Sequence, residues 1–174
     1  MFRNRPHTVI SETQLLALDK QLRLRNFADA FKNDGCYAKA HLISFELSRI
    51  GIQHSKALVY GNEIGDITII EREKAYQFKF HISPLVLVRM NDGRLTPHVL
   101  DLSFSEKVID LTSWSQKILQ NSKVEKLQRK IVGPEQIDHD WILSRQHLYS
   151  YEMLYRFENE VAAFNHIIAN SRPK

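Results

Sequence analysis

A thiol, an imidazole and a carboxylate, met in that order along the chain, are the groups best able to do chemistry here. Cys36 is the sole cysteine among 174 residues. It follows the turn signal Asn33-Asp34-Gly35, where Asp34 can serve as N-cap. Cys36, Ala40, Ile43, Leu47 and Ile50 then recur at helical spacing, up to a C-terminal glycine cap at Gly51. A thiol in a first helical turn meets unpaired backbone N–H groups and the positive end of the helix dipole, and both favour the nucleophilic thiolate. Alone, such a cysteine is more often an inert core residue. Two later segments change its weight: Phe80-His81-Ile82-Ser83-Pro84 and Val99-Leu100-Asp101-Leu102-Ser103. Nucleophile, base and orienting acid are the trio that thiol chemistry requires. His81 would take the Cys36 proton, Asp101 would fix the ring tautomer, and the Cys36 backbone N–H would donate to an oxyanion.

The elements that must position these groups follow from periodicity. Tyr76–Met90 reads as one long strand, with Tyr76, Phe78, Phe80 and Ile82 on one face and Gln77, Lys79, His81 and Ser83 on the other. His81 therefore lies off the aromatic stripe. Pro84 interrupts the ladder and implies an edge or a bulge. Asn91-Asp92-Gly93 is a hairpin turn signal, and two registers remain open. A three-residue loop puts His81 opposite Ser103, with Asp101 as its diagonal neighbour on the same face. A two-residue loop puts His81 opposite Phe104 and sends Asp101 to the wrong face.

The remainder of the chain supplies scaffold. Residues 1–10 read as a loose arm, and Ser11-Glu12-Thr13-Gln14 is a capping box opening a helix from about 12 to 31. Lys56–Tyr60 and Asp66–Ile70 are short strands divided by Gly61 and Gly65. A helical pattern runs on from Ser113-Trp114 through Ile118 and Leu127, with a candidate break at Asn121-Ser122, to end at Gly133-Pro134. A long amphipathic helix from about 139 to 169 follows, with Trp141, Leu148, Tyr151, Tyr155, Phe164 and Ile168 as packing residues. His41 is turned away from Cys36 along its helix, and His98 falls on the opposite strand face from Asp101. His7, His54, His139, His147 and His166 have no matching partner in the sequence.

Composition narrows the class. With 43% hydrophobic and 25% charged residues, the chain reads as a soluble globular domain over 1–174, long enough for a sizeable core. One cysteine excludes an intramolecular disulfide, and no Cys/His cluster has metal-site spacing. No signal-peptide core or apolar run of spanning length is present. The chain thus reads as cytoplasmic, with export as an effector left open. The formal charge is +4 and the pI about 9.2, much of it in Lys117, Lys123, Lys126, Arg129 and Lys130, with Arg23 and Arg25. Without interleaved aromatics this reads as a solvated helix face rather than a nucleic-acid surface.

The stretches DGCYAKAHLISFELSRIGI, FKFHISPLVLVRMNDGRLTPHVLDLSF and SW resemble the bacterial protein-glutamine glutaminase (protein glutamine deamidase) family, over roughly residues 33 to 115. The family pattern combines an Asp-Gly-Cys helix start, a His–hydrophobic–small–Pro strand and a Val-[Ile/Leu]-Asp-Pro-Ser strand. One departure is Leu102, where the pattern has proline. The resemblance implies an α+β fold of transglutaminase-like or papain-like type: a central Cys-bearing helix on an antiparallel sheet carrying His and Asp, with additional N- and C-terminal helices, the latter over about 113–169. It further implies a Cys36–His81–Asp101 triad that converts glutamine in a protein or peptide to glutamate, releasing ammonia through a thioester, without cofactor or metal. A transglutaminase or cysteine protease using the same triad, and a catalytically idle binding module, are the alternative expectations. Neither the target nor the oligomeric state is written in the sequence.

Overall fold

A computed structural model of the chain describes residues 7–24, 36–61, 65–71, 73–102, 104–125 and 127–134. The chain divides into two compact units, Met1–Pro134 and Glu135–Lys174. All described residues belong to the first unit. The long helix expected from about 139 to 169 lies outside them, as do Asp34 and residues 25–31 of the first expected helix.

The element order is β1 (Val9–Ser11), α1 (Glu12–Leu24), α2 (Cys36–Arg49), β2 (Ser55–Tyr60), β3 (Ile67–Glu71), β4 (Lys74–Phe78), β5 (Phe80–Arg89), β6 (Leu95–Val99), β7 (Ile109–Asp110), α3 (Leu111–Asn121) and β8 (Gln128–Val132). Both early helices form where their caps predict. Ser11 N–H donates to Gln14 Oε1 at 2.8 Å and Gln14 N–H to Ser11 Oγ at 3.2 Å, a reciprocal capping box that opens α1. Leu15, Leu18 and Leu22 recur on its buried side. The end of α2 is a Schellman motif. Gly51 takes φ +78°, its N–H reaches Ser48 O at 3.1 Å, and Ile52 N–H reaches Leu47 O at 2.8 Å.

A six-stranded sheet runs β7-β6-β5-β2-β8, with β1 joining β5 in parallel; β3 and β4 form a separate two-stranded sheet. Along one edge, β5 pairs antiparallel with β2 from Phe80 to Leu85 and parallel with β1 from Leu87 to Arg89. The β5–β6 hairpin closes with Met90 N–H on Arg94 O at 2.9 Å and Arg89 opposite Leu95. Asn91-Asp92-Gly93 is therefore a three-residue loop, and the register that keeps His81 and Asp101 on one face is the one formed.

Three stretches differ from expectation, the first being the end of the arm read over residues 1–10, where Val9 and Ile10 enter β1 against β5. The long strand from Tyr76 is broken at Lys79. Up to Phe78 it pairs with β3, and from Phe80 it pairs with β2. The alternation of faces does not survive this change of partner. Phe78 packs with the cluster of Ala57, Val59, Ile67, Leu85, Val99, Phe104, Trp114 and Ile118, whereas Phe80 packs with Ala40, Leu58, Ile82 and Val132. The helical pattern expected from 113 onward breaks at Asn121-Ser122, the candidate break, but the helix does not resume beyond it. Ser122 ends α3, its hydroxyl donating to Ile118 O at 2.7 Å, and residues 128–132 form β8 against β2. Edge pairing explains the outcome. β2 is buried over most of its length, so its free side needs backbone partners, and that demand overrides local helical spacing. Arg129 and Lys130 lie exposed on an outer strand, where charge discourages further strand pairing.

Candidate active site

Three elements meet at the Lys79 end of β5. The strand supplies His81, the chain just past β6 supplies Asp101, and the first turns of α3 supply Trp114. All three are buried, with His81 at 5%, Asp101 at 7% and Trp114 at 0% exposure. His81 Nε2 and Asp101 Oδ2 are 2.6 Å apart, and Trp114 Nε1–H donates to the same oxygen at 2.9 Å. The indole stacks on the imidazole, with ring centroids 5.7 Å apart at 29°. Phe78 and Phe104 tilt against the other sides of His81 at 6.1 and 6.4 Å. The ring expected off the aromatic stripe is thus enclosed by aromatics, because the break at Lys79 brings Phe78 round to its side.

How Asp101 reaches the ring follows from a proline. Leu100 N–H donates to Pro84 O at 2.9 Å, but Pro84 has no N–H to return to Leu100 O. The Ser83 hydroxyl fills that place, donating to Leu100 O at 3.0 Å. The ladder stops there, neither as a bulge nor on an outer strand, and the next residue is Asp101. Trp114 is placed by an N-cap. Asp110 Oδ1 accepts from the N–H groups of Thr112 and Ser113 at 3.0 Å each, and its Oδ2 accepts from Ser113 Oγ at 2.6 Å. Burial pushes the Asp110 carboxyl upward, but the Ser113 and Thr112 bonds outweigh it and hold the group below its ordinary value.

The electrostatics of the dyad are those of an ion pair excluded from water. Burial works against a charged His81, but attraction and hydrogen bonding from Asp101, with smaller contributions from Cys36, raise its pKa from 6.5 to about 10. Burial likewise pushes Asp101 upward, and His81, the Trp114 bond and the charge of Lys39 overcome it, so its carboxyl lies below the ordinary 3.8. Each charge is tolerable only because the other is present.

Cys36 opens α2 and, half-buried, packs against the cluster of Ala40, Leu58, Ile82 and Val132, as do Tyr60 and Phe80. Phe80 and Ile82 flank His81 in the chain, and the thiol is near enough to act on the imidazole. The remaining ring nitrogen, Nδ1, is buried and makes no completed hydrogen bond among the described residues.

Three other histidines are engaged elsewhere, His54 Nδ1–H donating to Ile52 O at 3.0 Å. His7 Nε2 shares a hydrogen bond with Ser55 Oγ at 2.6 Å, and His98 Nδ1–H donates to Thr96 O at 3.2 Å. No group of three His, Cys, Asp or Glu side chains suited to a metal ion occurs among the described residues. No described helix is long and apolar enough to cross a membrane. The lysines read as a solvated face divide on folding: Lys117 Nζ donates to Phe104 O at 3.1 Å and lies 4.7 Å over the Phe104 ring. Sequence reasoning singled out Cys36, His81 and Asp101, but gave Trp114 no role. A buried carboxylate needs donors beyond its imidazole, and an indole soon after it in the chain was the available signal.

Residues 7–118, more than half of the chain, match the family of glutamine deamidases described as Glutaminase. No curated protein matches. Among solved structures, the NMR structure of protein-glutaminase from Chryseobacterium proteolyticum is 22% identical, with 72% of this chain and 74% of that chain covered and a TM-score of 0.58. A crystal structure of protein-glutaminase is 19% identical over 74% of this chain and 75% of that one, at a TM-score of 0.62. A crystal structure of pro-protein-glutaminase is 17% identical and has a TM-score of 0.61; 77% of this chain covers 51% of it. At such identities the likeness is one of fold, a mixed α/β arrangement with helices and a largely antiparallel sheet.

Proposed function

The chain belongs to the glutaminase family, and from that we propose that it is a thiol-dependent amidohydrolase converting side-chain glutamine of a protein or peptide to glutamate. The observation that carries the reading is the buried His81–Asp101 pair at 2.6 Å, with Nδ1 left uncommitted and the thiol of Cys36 beside the ring.

Asp101 occupies Nε2, so Nδ1 is the nitrogen that exchanges a proton with Cys36. The sulfur attacks the carboxamide carbon of glutamine as its proton resides on Nδ1. The C=O electron pair moves to oxygen, and the backbone N–H of Cys36 at the start of α2 stabilises the oxyanion. Collapse of the tetrahedral adduct breaks the C–N bond, and Nδ1–H protonates the departing nitrogen, releasing ammonia. A water then adds to the thioester, giving its proton to Nδ1. The C–S bond breaks, leaving glutamate and the free thiol. Held at about 10, the ring is an imidazolium at neutral pH, so the proton that ammonia needs is in place before attack. The carboxylate and the Trp114 N–H keep the ring oriented through both half-reactions, and no step requires a metal or cofactor.

The test is ammonia release from a glutamine-rich protein and from a blocked glutaminyl peptide, native against Cys36→Ala. We expect ammonia from the native protein only, with a mass gain of about 1 Da per converted amide, and turnover lost by about a millionfold in the variant. Amine incorporation in place of water would reassign the chain as a transglutaminase, and backbone cleavage as a protease. Equal inertness of both proteins across several substrates would make it a binding module of this fold.

A further inference from the structure

We propose that Arg23 is a positioning residue for the dyad, acting from α1 on the backbone that carries Asp101. Between β6 and β7 the described residues belong to no strand, so their carbonyls need other donors. Four of them are met by side chains from other elements. Leu100 O accepts from Ser83 Oγ at 3.0 Å, and Leu102 O accepts from Arg23 Nη1 at 3.4 Å. Phe104 O accepts from Lys117 Nζ at 3.1 Å, and Ser105 O accepts from Arg23 Nη2 at 2.8 Å.

Among these donors Arg23 alone spans two carbonyls. A planar guanidinium with fixed N–H directions sets the distance between Leu102 O and Ser105 O, which a flexible ammonium cannot do. The guanidinium is itself aimed by Asp19, whose Oδ1 accepts from Arg23 Nε at 2.9 Å. The Leu102 carbonyl belongs to the residue directly after Asp101. A shift there displaces the carboxylate relative to both His81 Nε2 and Trp114 Nε1. Phe104, on the same segment, also forms one wall around the imidazole, so a single clamp governs the carboxylate and part of the ring's enclosure.

This inference rests on the dyad being catalytic, and the test separates failure of one from failure of the other. Native protein, Arg23→Gln and Arg23→Lys are compared by ammonia-release kinetics against pH, by ¹⁵N NMR titration of the His81 ring, and by thermal unfolding. Arg23→Gln should lower kcat by about ten- to a hundredfold, the scale set by small misplacement of reacting groups. KM should hold within about twofold, and the His81 titration midpoint should move down as the Asp101 contact loosens. Arg23→Lys should recover part of both. A native kcat and an unmoved titration in Arg23→Gln would overturn the proposal, as would losses tracking only the unfolded fraction. If the native protein releases no ammonia while the titration still moves, positioning stands and the deamidase reading falls. Should Arg23→Gln fail to fold, Arg23→Lys and Asp19→Asn, which removes the carboxylate that aims the guanidinium, are measured in its place. A smaller drop in kcat with the titration moved down then supports the proposal, and a native kcat with an unmoved titration in both overturns it.

Discussion

Asp101 has two partners at one oxygen, and the two do different things. The imidazole shares a proton with it, whereas the indole fixes where that oxygen sits. Asp101→Asn should leave the packing intact and lower kcat by about a thousand- to ten-thousandfold, since an amide can hold the wrong tautomer of the ring. Circular dichroism alongside ammonia release checks that the fold survives. An undiminished rate would mean that another residue orients His81. Trp114→Phe keeps an aromatic face against the imidazole but deletes the N–H. A hydrogen bond to a charged group is worth about 1.5–3 kcal/mol, so chemical denaturation should show a loss of that order, and turnover should fall with it. The identity of the dyad was legible in the sequence, because type, order and a shared strand face pointed to His81 and Asp101. The indole was not, because nothing in spacing tells a packing tryptophan from one whose N–H has a buried carboxylate to satisfy.

Elements written in local signals formed as expected. The capping box of α1 and the glycine stop of α2 each depend on residues a few positions apart, and the hairpin signal at Asn91-Asp92-Gly93 took the three-residue register of the two left open. Elements decided at a distance did not. The break at Lys79 arises because the strand changes partners there, and β8 arises because β2 needs a neighbour; neither cause is visible in a window of ten residues. Pro84 stands between the two cases: its interruption of the ladder was legible, its use was not. By withholding an N–H it stops the β5–β6 ladder one residue before Asp101, and Ser83 satisfies the carbonyl left over. Pro84→Val would supply that N–H, displace the Ser83 hydroxyl and let the ladder run on toward the site. Such a variant should melt at a higher temperature and yet turn over more slowly, the usual outcome when a site's departure from regular structure is repaired. A faster or unchanged kcat would show that the ladder's end has no bearing on the carboxylate.

Across the whole molecule the buried pair makes stability depend on pH in two directions. His81 titrates near 6.5 when unfolded and at about 10 when folded. Its contribution is complete below pH 6.5, declines above it, and is gone once the pH has risen through about 10. Asp101 is held below 3.8, so its contribution is present above that value and is lost as the pH falls through its folded pKa. Urea unfolding of native protein and Asp101→Asn should therefore differ most between about pH 4 and 6.5, with the gap closing toward pH 10 and in acid. A gap independent of pH would mean that the pair carries no charge in the folded protein.

The chain order of the site has one more consequence. Cys36 leaves the ribosome well before His81, Asp101 and Trp114, which follow it in the later part of the same unit. Synthesis proceeds at about 5–20 residues per second, so for some seconds the newborn polypeptide carries its sulfur with no base to serve it. On the reading given above, the enzyme is harmless to its neighbours while it is being made, and becomes reactive only when the hairpin that bears the imidazole has closed.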